Sequence, residues 1–324
     1  MTLRLRSCSA VQDRDKGALR VNPEQTPTFK SEKAEGLTLR GSGQIKMIGE
    51  ESKKYSRRIK PITLVLTLVP FFMSLTQTAQ AVPNGGYAHP EIIIQPEELK
   101  VLIEKKDPGI RIIDVREKLQ YLNGHIPEAV QVWRPDIEDT THILPGMVAV
   151  QTQVEDLMGN LGINHQSIVV IYSDGPDNGR LWWVLAYYGF PMKQVKLLDG
   201  GIDGWKAKGY PTEMVPAKVG KTIFTFPKET KGVRTMLCTL SDVKSALKRP
   251  DKVVLDVRSQ KEFFGEETKK GAARPGRIPG VTWIEWKEVL VDAGPYKDYW
   301  KSAEEIKKLF SAKGITPDKD IYMY

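Results

Sequence analysis

From residue 82 onward, short apolar runs alternate with amphipathic segments. Apolar runs of four to five residues, such as Ile168–Tyr172, have the composition of strands that are buried on both faces. Segments such as residues 95–107 instead repeat apolar positions every three to four residues, which is typical of a helix packed on one side. Strands that alternate with such helices predict βαβ units and a parallel sheet covered by helices on both faces.

The predicted elements occur twice in the same order. In the first copy a helix leads into RIIDVR and GHIPEA, and in the second a helix leads into VVLDVR and GRIPGV. Each copy continues with another helix and a strand, which ends at Tyr172 in the first copy and at Tyr324 in the second. Aligning Gly162 with Gly314 places the two tyrosines opposite each other. The sequence therefore predicts two α/β domains of the same architecture.

This repeat divides the chain into four parts. We interpret them as a leader at 1–81, a first domain at 82–215, a linker containing Pro and Gly at 216–236, and a second domain at 237–324. The second copy has no counterpart of RLWWVLAYYG or of VKLLDGGIDGWKAKGYP, so we expect it to be incomplete. Its last strand, DIYMY, should lie within the sheet without its usual covering elements.

The leader has the composition of a disordered segment followed by a signal peptide. Residues 1–46 are polar and without periodicity. The basic stretch 53–60 then precedes an apolar core at 61–75, and Ala79 and Ala81 have the small-x-small spacing that signal peptidase recognises.

The apolar core is shorter than the ~20 residues that a membrane-spanning helix needs, and Pro70 interrupts it. We therefore expect a true start at Met47, cleavage after Ala81, and a periplasmic or secreted protein without stable membrane association. An uncleaved membrane anchor is the alternative.

The net charge of +8 lies mostly in this leader. Residues 1–81 contain 14 Lys and Arg against 7 Asp and Glu, whereas the rest of the chain contains 34 against 33. A nearly neutral pair of domains does not indicate a phosphate-binding surface, so nucleic acid is not an expected partner.

The chain has two cysteines, Cys8 and Cys238. Because Cys8 lies in the leader, we expect the mature chain to keep one thiol and to form no internal disulfide. Cys238 lies in an apolar run, which favours a buried, inert side chain over a reactive thiol.

The ordered set of motifs resembles a known family. IIDVRE, YLNGHIPEA, RLWWVLAYYG and LLDGGIDGWKAKGYP in the first copy, with LDVRSQKEFFGE and RPGRIPG in the second, are similar to the tandem-domain rhodanese sulfurtransferases. This resemblance implies two rhodanese-like domains, of which the first is catalytically silent. It also implies a catalytic cysteine directly after the strand that ends at Tyr324, so we expect residues 1–324 to be truncated before it.

In that family the thiolate takes sulfane sulfur from thiosulfate or 3-mercaptopyruvate and passes it to cyanide or another thiophilic acceptor. The resemblance implies no metal and no cofactor. A strand followed by a tight loop and a helix amino terminus suits this chemistry, because backbone N–H groups there stabilise a thiolate.

The equivalent loop of the first copy begins at Ser173, and serine cannot form a persulfide. Asp174 and Asp177 follow and would repel an anionic donor, while Arg180 is the one remaining feature of an anion site. We interpret this loop as non-catalytic.

Other motif residues are candidates for supporting roles. Asp114 and Asp256 either brace the active loop or accept local N–H bonds at strand ends. The adjacent Arg116 and Arg258 fit structural ion pairs better than substrate binding.

His125 fits a turn residue better than a base. Arg274 and Arg277 either supply positive potential near the second loop or are solvated surface residues. Glu262 departs from the arginine that some relatives carry near the donor, which leaves the choice of donor open.

Two functions remain open on these grounds. The chain is either part of an exported tandem sulfurtransferase whose catalytic cysteine it lacks, or a non-catalytic rhodanese-like binding or interaction module. In both cases the polypeptide of residues 1–324 is expected to be inactive.

Overall fold

A computed structural model describes residues 4–8, 86–142, 145–227, 236–269 and 271–324 of the chain, with the backbone alone for residues 4–8. The predicted signal peptide, the proposed start at Met47 and the cleavage position after Ala81 lie outside these residues. Within the described ranges, no helix combines the length and the apolarity that crossing a bilayer requires.

The described residues form ten strands and eight α-helices. The strands are β1 Arg4–Cys8, β2 Ile93–Ile94, β3 Ile110–Asp114, β4 Val130–Gln131, β5 Ile168–Tyr172, β6 Val195–Leu198, β7 Leu237–Cys238, β8 Lys252–Asp256, β9 Thr282–Trp283 and β10 Asp320–Met323. The helices are α1 Pro96–Glu104, α2 Lys118–Leu122, α3 Gln151–Asn160, α4 Asp177–Tyr188, α5 Gly201–Ala207, α6 Leu240–Ala246, α7 Gln260–Phe264 and α8 Ala303–Ala312.

The first domain is built on a parallel five-stranded sheet in the order β2-β6-β5-β3-β4. Successive residues of β5 enter opposite cores. Val169 and Ile171 pack with residues of α3 and α4, whereas Val170 and Tyr172 pack with residues of α1, α2 and α5. The sheet is thus covered on both faces, as its continuous apolar strands require, and the predicted α/β class is confirmed.

The second domain repeats this arrangement. Its sheet has the order β7-β1-β10-β8-β9, and every strand pair is parallel. Ile321 of β10 lies in one apolar cluster and Tyr322 in the other, so the strand is again apolar on both sides. The strand DIYMY lies within the sheet, between β1 and β8.

Two findings differ from the predicted division of the chain. Strand β1 falls inside the segment that we interpreted as disordered, and for these five residues that interpretation is wrong. The predicted linker also begins as part of the first domain, because Phe224 and Phe226 are buried in its core. Sequence periodicity signalled neither feature, because a five-residue strand and a pair of phenylalanines outside any helix or strand are too short to show a period.

The turn LDGG between β6 and α5 requires glycine for steric reasons. Gly201 has φ +53, and a Cβ atom there would lie 2.1 Å from the carbonyl oxygen of Ser173. That oxygen accepts a hydrogen bond from the N–H of Ile202 at 3.1 Å, so the two segments are held in contact. The start of α5 is therefore fixed against the end of β5.

We expect Gly201→Ala to destabilise the protein more than Gly209→Ala. Gly209 has φ +70 with nothing within 4 Å of the added Cβ, so both variants share the left-handed backbone cost of roughly 1–2 kcal/mol. The clash at Gly201 adds roughly 1–3 kcal/mol, as overpacking does elsewhere. Urea unfolding of the two variants measures the difference, and equal free energies of unfolding would contradict this close approach.

Candidate functional site

A buried carboxylate ends the strand β3 in the first domain. Asp114 is fully buried, and its two oxygens accept hydrogen bonds from the Arg116 Nε at 2.9 and 3.1 Å and from Nη2 at 2.6 Å. The Tyr172 hydroxyl donates a further bond to it at 2.8 Å. A buried carboxylate needs such partners, because an unpaired charge in this position would be strongly destabilising.

The same group of side chains fixes the GHIP turn. The Nη2 of Arg116 donates to the carbonyl oxygen of Gly124 at 2.9 Å. The hydroxyl of Tyr172 accepts a bond from the N–H of Ile126 at 3.0 Å. Burial, followed by the charge of Asp114, raises the pKa of Tyr172, so the hydroxyl stays protonated and able to donate. We call Asp114, Arg116 and Tyr172 the first-domain brace.

The second domain contains an equivalent brace, formed by Asp256, Arg258 and Tyr324. The carboxylate of Asp256 accepts bonds from the Arg258 Nε at 3.0 Å and Nη2 at 2.7 Å, and the Nη2 also donates to the oxygen of Gly276 at 2.9 Å. The Tyr324 hydroxyl accepts a longer bond, 3.4 Å, from the N–H of Ile278. Burial and the charge of Asp256 raise the pKa of Tyr324 to about 12.

The two braces differ in their exposure to solvent. The side chain of Arg116 is 4% exposed and that of Arg258 is 28% exposed. Both arginines are held by their aspartates in the geometry of structural ion pairs. The side chain of Arg258 is therefore the more accessible of the two to solvent.

The loop after β5 is closed on itself. Ser173 is 4% exposed, and its hydroxyl oxygen accepts a bond from the N–H of Gly175 at 3.2 Å. Asp174 accepts a bond from Gln120 at 2.5 Å, which holds its carboxylate at the mouth of the loop. In this loop the carboxylate of Asp174 is therefore exposed to solvent, whereas Ser173 is buried.

Arg180 lies in the first turns of α4, and its guanidinium is already bonded within the protein. It is the residue that we predicted as the remnant of an anion site. Its Nη2 donates to the carbonyl oxygen of Gly146, and its guanidinium lies over the ring of Trp183 at 5.4 Å. Burial, and then the nearby charge of Arg134, lower the pKa of Arg180. Arg134 itself pairs with Asp177 at 3.2 Å. The basic groups of this loop are thus engaged within the protein.

Arg277 lies near the end of β10, but no hydrogen bond among the described residues joins its side chain to the second-domain brace. Its guanidinium stacks over Phe263 at 4.6 Å, and the residue is exposed. The next residue along the chain, Ile278, donates to Tyr324, so the backbone of Arg277 is next to the brace. Arg274 is exposed on the same turn.

The carboxylate of Glu262 has a local structural role. It accepts bonds from the hydroxyl of Ser259 at 2.9 Å and from its N–H at 3.4 Å, which caps α7. His125 is likewise structural. It is fully buried, its ring stacks on Tyr121 at 3.9 Å, and its Nδ1 donates to the carbonyl oxygen of Tyr121 at 2.8 Å.

Cys238 corrects one expectation and agrees with another. It is fully buried in the apolar cluster of α6, as predicted. It is also disulfide-bonded, so the expectation of a lone thiol in a chain without disulfides is wrong. The error arose because Cys8 was assigned to a cleaved leader, whereas its Cα is the register partner of Cys238 in the sheet.

Comparison with known proteins identifies the family. Residues 95–208 match the Rhodanese-like domain. The sulfur carrier protein TtuD of Thermus thermophilus is 32% identical over 252 residues, which cover 74% of this chain and 84% of TtuD. This chain belongs to the rhodanese family.

Other relatives agree with this assignment. A thiosulfate sulfurtransferase of Azotobacter vinelandii is 28% identical, with 72% of this chain and 82% of the relative covered. The crystal structure of the 3-mercaptopyruvate sulfurtransferase SseA from Escherichia coli has a TM-score of 0.61 at 26% identity, covering 72% of this chain and 87% of SseA. The predicted tandem arrangement of two rhodanese domains is confirmed.

The rhodanese domains meet at a residue that the sequence analysis missed. Asp199, in the LDGG turn of the first domain, accepts a bond from the N–H of Trp300 in the second domain at 2.9 Å and another from Gln95 at 2.9 Å. The neighbouring Tyr299 is 2% exposed, and a Cβ on Gly200 would lie 2.3 Å from its ring. The paired glycines of LDGG were the available signal, because they mark a close approach of backbone to a ring.

We expect Tyr172→Phe to destabilise the rhodanese more than Tyr324→Phe. Removing the Tyr172 hydroxyl leaves the buried N–H of Ile126 without an acceptor and removes one hydrogen bond to Asp114. We expect this change to lower the free energy of unfolding by about 1–3 kcal/mol. The Tyr324 hydroxyl makes the longer bond in a more open setting, so its loss should cost less. Urea unfolding gives both values, and a larger loss for Tyr324→Phe would contradict the tighter hydrogen bonding of the first-domain brace.

We also expect a pH dependence from Asp199. Burial raises its pKa to about 6, although bonds from Trp300, Gln95 and Gly200 lower it. A carboxyl whose folded pKa lies above its unfolded value stabilises most below the unfolded value, near pH 4, and this stability is lost as the pH rises through 6. The loss is about 3 kcal/mol.

Asp199→Asn should therefore flatten the decline in the free energy of unfolding between pH 4 and 7. The exposed Asp203→Asn serves as the control, and it should retain the wild-type slope. Identical pH profiles for Asp199→Asn and the wild type would contradict the assignment.

Proposed function

We propose that this rhodanese fold serves sulfur transfer. The donor is a small anion, thiosulfate or 3-mercaptopyruvate, and the acceptor is a thiophilic species such as cyanide. Relatives carry the names thiosulfate sulfurtransferase and 3-mercaptopyruvate sulfurtransferase. The observation that supports the proposal most is the second brace, which holds Tyr324 at the position where the family's catalytic loop begins.

The chemistry requires a thiolate directly after Tyr324. With thiosulfate, the thiolate attacks the sulfane sulfur, the S–S bond of the donor breaks, and sulfite leaves with the electron pair. The persulfide then yields its outer sulfur to cyanide, so that thiocyanate forms and the thiolate is regenerated. A loop that starts at the end of a buried strand stabilises such a thiolate through its backbone N–H groups.

In this proposal the chain's own residues hold and orient the loop. Asp256 and Arg258 fix the turn that faces it, and the partly exposed side chain of Arg258 attracts the anionic donor. Arg277 and Arg274 add positive potential from the neighbouring turn. These roles predict anion attraction without a metal or a cofactor.

Residues 1–324 by themselves do not contain the required nucleophile. Ser173 takes the equivalent place in the first domain and cannot form a persulfide, and Cys238 is buried in a disulfide. We therefore propose that this polypeptide alone does not turn over sulfane sulfur. Its closed first-domain loop supports the second candidate function, a non-catalytic rhodanese-like binding or interaction module.

We expect the 1–324 polypeptide to form no thiocyanate from thiosulfate and cyanide above the level of its Cys238→Ser variant. The assay detects thiocyanate as its ferric complex. Turnover above that control would show that Cys238 is the nucleophile and would overturn the proposed position after Tyr324.

The same assay applied to Ser173→Cys tests whether the first-domain loop prevents sulfur transfer even when it carries a thiol. We expect little or no turnover and little persulfide, which adds the mass of one sulfur atom, because Asp174 and Asp177 repel the donor. The triple variant that also carries Asp174→Asn and Asp177→Asn should form more persulfide. Equal labelling of both variants would exclude charge repulsion as the cause.

A further inference from the structure

The second domain reaches the first through a hairpin that precedes α8. Leu290 and Trp300 form an antiparallel bridge at its base. The side chain of Trp300 packs against the apolar core of the first domain, and the ring of Tyr299 lies against Gly200. We call residues 290–301 the docking hairpin.

Asp199 joins the docking hairpin to the first domain. The residue is fully buried, and its carboxylate accepts hydrogen bonds from the N–H of Trp300 and from the side-chain amide of Gln95, each at 2.9 Å. Asp114 and Asp256 pair with arginines, whereas no ion pair among the described residues includes Asp199. A buried carboxylate whose donors are all neutral keeps most of its desolvation cost. Because one donor belongs to the docking hairpin, this cost is tied to docking.

A second buried polar group also opposes docking. Tyr299 is 2% exposed, and within the described ranges its hydroxyl has no hydrogen-bond partner. A buried hydroxyl without a partner is unfavourable. Burial of the Tyr299 and Trp300 rings and the bond from the Tyr87 hydroxyl to the carbonyl oxygen of Lys301 favour docking. The contact is thus a balance of opposing contributions that a single charge can shift.

The other titratable groups around this carboxylate hold their charge from about pH 5 to 8. They are Tyr87, Tyr299, Glu97, Lys208 and Glu305. Burial raises the pKa of each tyrosine to about 12, so both hydroxyls stay protonated. Glu97 pairs with Lys208 at 2.6 Å, and hydrogen bonds from Ser302 lower the pKa of Glu305. A change of charge at this contact in that pH range therefore belongs to Asp199.

We propose that the docking hairpin is a proton-operated latch between the two rhodanese domains, which tightens when Asp199 is protonated and loosens when it is ionised. Protonation removes the charge that docking must desolvate, and the neutral carboxyl still accepts the N–H of Trp300. Loosening moves the Tyr299 ring away from Gly200, which is followed by the glycine in contact with the Ser173 carbonyl. The latch thus sets how closely the second domain packs beside the first-domain loop. This role is independent of sulfur transfer.

The direction of the effect follows from the two states of the carboxyl. Burial raises the pKa of docked Asp199 to about 6, although bonds from Trp300, Gln95 and Gly200 lower it. In water the pKa of an aspartate is about 3.9. A raised pKa in the docked state favours docking at low pH, and this preference is lost as the pH rises through 6. The docking equilibrium should fall about tenfold between pH 5 and 8.

Hydrogen exchange of the Trp300 amide measures this equilibrium, because its N–H donates across the domain contact. We expect its protection factor in the full chain to fall about tenfold from pH 5 to 8. The same titration lowers the free energy of complete unfolding, so low concentrations of urea must separate the two kinds of opening. Urea should speed exchange of the core amides of Val170 and Val254 much more than that of Trp300, since undocking exposes less surface than unfolding.

Three variants identify the titrating group. Asp199→Asn should abolish the pH slope at Trp300, and the exposed Asp203→Asn should keep it. Tyr299→Phe removes the unpartnered hydroxyl, so it should raise Trp300 protection about fivefold or more at every pH with the slope unchanged.

A pH slope that persists in Asp199→Asn or disappears in Tyr299→Phe would assign the titration to another group and overturn the latch. Exchange of Trp300 with the same protection and urea dependence as Val170 and Val254 would show that the domains part only on unfolding, which also overturns it. If Asp199→Asn does not fold, the wild-type amide shift of Trp300 decides. An apparent pKa near 6 supports the latch, whereas one near 4 or no titration contradicts it.

Discussion

Each domain depends on one carboxylate that is buried from solvent at the end of a buried strand. Asp114 and Asp256 are both fully buried, and each must be compensated where it lies. Desolvating such an ion costs several kcal/mol unless a partner charge and hydrogen bonds surround it. The guanidinium two residues later and the tyrosine of the neighbouring strand provide these groups, and the arginine also binds the turn that follows. One electrostatic requirement thus determines the relative positions of two strands and a turn.

The same requirement does not fix the chemistry of the loop that follows the strand. The brace ends at the tyrosine, and the residue after it begins the loop. In the first domain this residue is Ser173, whose hydroxyl is used locally while Arg180 is bound to Gly146. A brace therefore positions a loop without specifying its reactivity, and the loop must be judged by its own residues.

The sequence predicted the features that repeat and missed those that depend on distant pairing. The aligned copies placed Tyr172 opposite Tyr324. Tyr172 ends β5, Tyr324 directly follows β10, and the two tyrosines face equivalent aspartates. Periodicity is a local property, so it could indicate neither the docking of Trp300 on Asp199 nor the burial of Phe224. The assignment of residues 1–46 to disorder had the same cause. A five-residue segment such as Arg4–Cys8 lacks a detectable pattern of its own, and its pairing is set by strands more than 200 residues away.

Strand β10 links the second brace to the rest of the sheet, because its two edges pair with different strands. On one edge it pairs with β8, whose last residue, Asp256, carries the brace. On the other edge it pairs with β1, which in turn holds β7. Parallel strands are most stable when both edges are paired and both faces are covered. The position of Tyr324 is therefore a property of the whole sheet, because the brace orients the end of β10 only as well as the neighbouring strands hold β10 in place.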